Sequence, residues 1–93
     1  MADFKILKTT LNTLGKKIYI KSKDPFVAGE FAASIKNAEH LLNNYKIMYR
    51  NNPEIVKRLE IARALVNKAA EVIGKNAHNA AIFILKAANE LPA

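Results

Sequence analysis

The chain has 93 residues, 51% of them apolar, no cysteine and a formal charge of +7. That length allows one domain with a modest core, since single domains run from about 50 to 200 residues. The absence of thiols excludes disulfides and thiolate metal sites, and no apolar run approaches the roughly 18 residues that cross a bilayer.

The charge is unevenly placed. Residues 1–24 carry six lysines and two aspartates, whereas residues 76–93 carry one lysine and one glutamate. Between Phe4 and Lys23 there is no acid at all, and over the whole chain lysine outnumbers arginine 12 to 3. The opening stretch MADFKILKTTLNTLGKK has neither the apolar block nor the small-residue cleavage site of a secretory leader. Together with the absent cysteines, this leads to the expectation of an intracellular, reducing setting.

In the first segment Phe4, Leu7, Leu11, Leu14 and Ile18 recur at steps of three and four, which predicts a helix near 3–21. Thr9, Thr10, Thr13 and Gly15 are mediocre helix formers, so Gly15 is the expected weak point of this helix. On a continuous helix Lys5, Lys8, Lys16 and Lys23, with Asn12 and Tyr19 between them, line one flank; Lys17 and Lys21 line the other. A lysine row without acids can neutralise phosphates along a backbone, releasing counterions and gaining salt-dependent affinity. Lysine in place of arginine weighs against bidentate reading of guanine, so sequence selectivity should be slight. The same pattern also suits a basic amphipathic helix lying on an anionic membrane. That reading requires an exposed leucine stripe, and burial of the stripe in a small bundle places membrane binding third.

Asp24-Pro25 offers an N-cap acceptor before a proline, predicting a second helix near 25–50. Its stripe is Phe31, Ile35, Ala38, Leu42, Tyr45 and Tyr49, which puts the two tyrosines in the core and not against bases. His40 falls on the polar side. Asn51-Asn52-Pro53 makes the turn into a third helix near 53–73, with Ile55, Leu59, Ala62, Val66, Ala69 and Ile73 inward. Lys46, Arg50, Lys57 and Arg58 crowd the turn end and form a small positive cap. Glu60, Arg63, Asn67, Lys68 and Glu71 read as an ordinary solvated face.

Gly74 fits a left-handed helix end and Asn76 the cap of a fourth helix near 77–91. Ala77, Ala81, Ile84, Ala88 and Leu91 form its stripe, while Ile82 and Phe83 stand apart from it. Such a helix is either central to the bundle or presents Ile82 and Phe83 to another subunit, and self-association is the favoured expectation. Residues 69–83 also approximate a helix-turn-helix spacing. Lys75 sits where that motif wants an apolar residue, so an ordinary capped hairpin explains the segment better.

Nothing supports catalysis. His40 and His78 have no HxxxH or ExxH spacing, the glutamates offer no inward pair, and three scattered glycines make no phosphate loop. The expectation is therefore an all-α fold: one domain, a compact antiparallel bundle of four helices, non-enzymatic and without metal or cofactor. Its leading function is to bind a polyanion, DNA or RNA, through Lys5, Lys8, Lys16, Lys17, Lys21 and Lys23, with Lys46, Arg50, Lys57 and Arg58 as a second cluster. The alternative is a protein-interaction or homo-oligomerisation module that uses the apolar faces of the first and fourth helices toward a helical or acidic partner.

Overall fold

A computed structural model describes residues 4–92, so residue 3, where the first helix was expected to begin, lies outside the described residues. The described chain is all-helical and forms a four-helix bundle: α1 (Lys5–Ile20), α2 (Val27–Met48), α3 (Pro53–Val72) and α4 (Ala77–Glu90). It measures 42 × 19 × 17 Å. Helix α2 is two residues shorter at each end than the apolar spacing suggested, α1 ends one residue earlier, and α3 and α4 start where expected and end one residue earlier.

The stripes point inward as expected. Leu7, Leu11, Leu14 and Ile18 of α1 are buried, as are Phe31, Ile35, Ala38 and Leu42 of α2 and Leu59, Ala62, Val66 and Ala69 of α3. Helix α4 packs closely on both α1 and α3, and α3 on α2, while α1 and α2 touch least of these neighbouring pairs. The low charge of α4 follows from this central place. Ala80, Ala81, Ile84, Ala87 and Ala88 are fully enclosed, their small side chains letting two neighbours approach. The apolar content that suggested self-association through α4 is thus largely used inside the bundle.

Gly15 does not break α1, which runs through it without interruption. It marks the closest approach of α1 to α4: a Cβ there would stand 2.7 Å from Leu85 Cδ2 and 2.8 Å from its Cγ. The residue that looked like a weak point in a helix is the point where two helices meet.

Two terminal signals act differently from their expected roles. Asp24 does not cap α2. Its Oδ1 accepts from the Phe26 amide two residues on, and its carbonyl accepts from Val27, closing a turn that delays the helix to Val27. Gly74 is not left-handed, and no described glycine has a positive φ. The Asn76 amide instead donates back to the Val72 carbonyl at 2.7 Å, ending α3 through a right-handed turn. Asn52 and Asn76 do act as caps, their side-chain oxygens accepting from Ile55 and Asn79.

Helices α1 and α2 are fastened at both ends. At one end the Phe4 ring, 2% exposed, lies 5.5 Å from Tyr45 and 5.2 Å from Tyr49. Both tyrosines pack against the core. At the other end Lys21 Nζ donates to Glu30 Oε2 at 2.7 Å. Between these clasps many of the facing side chains are short and polar, Thr9, Thr10, Thr13, Ser34 and Asn37 among them, so no ridge fills a groove. The gap left open is about 430 Å³.

Candidate nucleic-acid interface

A continuous helix fixes where the lysines of α1 stand. Because Gly15 meets Leu85, the flank holding Lys8, Asn12, Lys16 and Tyr19 is the flank beside α4. The Tyr19 ring lies 4.9 Å from that of His78 in the first turn of α4, and Lys16, Tyr19, Ile20 and Leu85 enclose a shallow depression. Lys5 and Lys16 are exposed and Lys8 is half-buried. Lys17 stands on the opposite flank, toward α2, and is exposed. Lys23 is exposed in the turn after α1.

Carboxylates are distributed in a contrasting way. Helices α1 and α4 together hold five lysines and a single glutamate, Glu90. Helices α2 and α3 hold six basic side chains and five glutamates. The α1–α4 side of the bundle is therefore almost acid-free, and the α2–α3 side is nearly balanced. From Lys5 to Lys16 the helix rises about 17 Å, a length over which duplex DNA carries on the order of ten phosphates.

Not every candidate cation is equally available. Lys21 is engaged by Glu30, and the hydrogen bond and charge of that carboxylate hold its ammonium pKa above the ordinary value of 10.5. Lys46 pairs with Glu60 across the α2–α3 hairpin at 3.4 Å. Arg50, Lys57 and Arg58 are exposed at that hairpin end, beside Glu54 in the first turn of α3. The hairpin cap is thus partly compensated, whereas Lys8 and Lys16 form no ion pair among the described residues.

Ile82 and Phe83, expected at a subunit interface, are both half-buried. Phe83 packs against the core and lies under Lys68 Nζ, 5.9 Å from the ring centre. The exposed large apolar side chains are elsewhere, among them Ile6, Ile20, Phe26, Ile47 and Met48. The buried leucines of α1 face the core, so the stripe that a membrane-lying helix would insert is occupied. No described helix is long and apolar enough to cross a membrane. No group of three or more potential metal-ligating side chains occurs among the described residues.

No family model matches the chain, and neither a curated protein nor a solved structure shows significant similarity to it.

Proposed function

We propose that the protein binds the phosphate backbone of nucleic acid along the α1–α4 side, with little sequence selectivity. The observation that carries this reading is the segregation of charge: Lys5, Lys8 and Lys16 stand on one flank of a rigid helix, and the neighbouring helix adds Lys86 with only Glu90 against it. Each lysine is a compact, hydrated point charge suited to phosphate and unsuited to a bidentate reading of bases. Tyr19 and His78 supply planar rings at one end of the row, available to stack on an unpaired base. Lys17, Lys23, Arg50, Lys57 and Arg58 add diffuse attraction, and Lys21 and Lys46 contribute less because each already holds a carboxylate.

The test is fluorescence anisotropy with a labelled mixed-sequence duplex. Reversing Lys5, Lys8 and Lys16 to glutamate should weaken binding by at least about tenfold, since three counterion-releasing contacts are lost. Reversing Lys36, Arg63 and Lys68 changes net charge equally on the α2–α3 side and should cost much less. Equal losses from the two sets would show bulk charge without a site, and indifference to the first set would overturn the proposal.

A further inference from the structure

The gap between α1 and α2 has a character of its own. Its floor is apolar, made by Leu14, Phe31 and Ala38, and its walls are Thr9, Thr10 and Thr13 on one side and Ser34, Asn37 and Leu41 on the other. The Thr10 hydroxyl donates to the Ile6 carbonyl of its own helix at 2.9 Å, which satisfies it without a partner across the gap. Periodicity extends the apolar lining beyond the floor. Ile6 lies seven residues before Thr13 and Met48 seven beyond Leu41, so each continues the line of one wall past the end of the gap. They are 70% and 67% exposed, far more than large apolar side chains usually are. Phe26, also exposed, stands in the turn joining the two helices.

The groove therefore combines an apolar trough and narrow walls along about 12 Å of α1, from Thr9 to Lys17. That is the shape that receives one helix presenting residues at i, i+3, i+4 and i+7. The charge of the groove selects among helices. Lys17 is the one charged side chain in the lining, and it forms no ion pair among the described residues. The nearest carboxylate along α2, Glu30, is held by Lys21. A second copy of the chain fits poorly, because each copy carries +7 and would bring lysine-flanked apolar residues against Lys17.

We propose that the α1–α2 seam docks one amphipathic helix of a partner protein, with an apolar ridge set between acidic flanks. This surface lies on the opposite flank of α1 from the Lys5–Lys8–Lys16 row, so the proposal stands independently of nucleic-acid binding.

The experiment uses the full chain labelled with nitrogen-15 and three synthetic helical peptides of about 15 residues, long enough to span the groove with a turn to spare. One carries a leucine ridge flanked by glutamates, the second the same ridge flanked by lysines, and the third the first composition scrambled to destroy the ridge. The glutamate-flanked peptide should shift the amides of Thr9, Thr13, Ser34, Asn37 and Leu41, and should bind at least about tenfold tighter than either control. The Thr13→Glu/Ser34→Glu variant, altered only at exposed positions, should invert the preference toward the lysine-flanked peptide while its thermal melt stays near wild type. Absence of binding, equal binding of the scrambled peptide, or shifts confined to Lys5, Lys8 and Lys16 would overturn the proposal. So would a wild-type dimer by sedimentation that Thr13→Glu/Ser34→Glu converts to monomer, since the groove would then hold a second copy.

Discussion

Replacing Gly15 by alanine sets two effects of known size against each other. In a helix interior alanine is better than glycine by about 1 kcal/mol. The new methyl, however, would stand 2.7 Å from Leu85 Cδ2 and 3.4 Å from the Ala81 carbonyl oxygen. Overpacking of this kind costs about 1–3 kcal/mol. Leu85 is only half-buried and can move in part, so the expected net loss is about 1 kcal/mol, or a fall in Tm of roughly 4–8 °C for a domain of this size. Truncating Leu85 to alanine removes the obstacle. In the Gly15→Ala/Leu85→Ala double variant the helix preference should be recovered, giving a favourable coupling of about 1 kcal/mol or more. Thermal and urea melts of the four proteins by far-UV circular dichroism measure it. A Gly15→Ala variant that is stabilised by about 1 kcal/mol, with a cycle that closes to zero, would refute the close approach of α1 and α4 on which the position of the lysine flank depends.

Gly74 gives the opposite result from the same substitution. Its φ is not positive and an added Cβ meets nothing within 4 Å, so Gly74→Ala should stabilise by about 0.4–1 kcal/mol in the same melts. Asn52→Ala and Asn76→Ala each remove an oxygen that accepts a helix amide and should each cost about 1 kcal/mol, whereas Asp24→Ala, which loses only a turn contact, should cost less. The Lys21–Glu30 pair sets a pH dependence. With the folded pKa of Lys21 raised above 10.5, its contribution is fully present below that value and disappears as pH climbs through the raised one. Melts between neutral and strongly alkaline pH should show this small loss in wild type and not in Glu30→Gln.

Helix number, type and inward faces were legible because each depends on spacing within one segment. Phe4, Leu7, Leu11, Leu14 and Ile18 define a face whatever packs against it. The helix ends were less legible, since Asp24 and Gly74 each have two local solutions and only the path of the adjoining chain selects one. The Lys5–Lys8–Lys16 flank could be read from periodicity, but its availability could not. Lys21 meets Glu30 nine residues away across a turn, and Lys46 meets Glu60 fourteen away across a hairpin, contacts that depend on how helices dock. Gly15 was misjudged for the same reason: propensity sees a flexible residue, and only the neighbouring helix reveals a contact. The α1–α2 groove left a faint trace in Thr9, Thr10, Thr13, Ser34 and Asn37, short polar residues along two flanks that a tightly packed seam would not carry.

The salt dependence of duplex binding tests the central claim most directly. If Lys5, Lys8 and Lys16 each neutralise a phosphate, their joint conversion to glutamine should lower the magnitude of the slope of log affinity against log salt by about 2.7, with the fold unchanged by circular dichroism. A slope that stays the same after all three are neutralised would mean that the phosphates are met elsewhere, and the lysine flank of α1 would not be the interface.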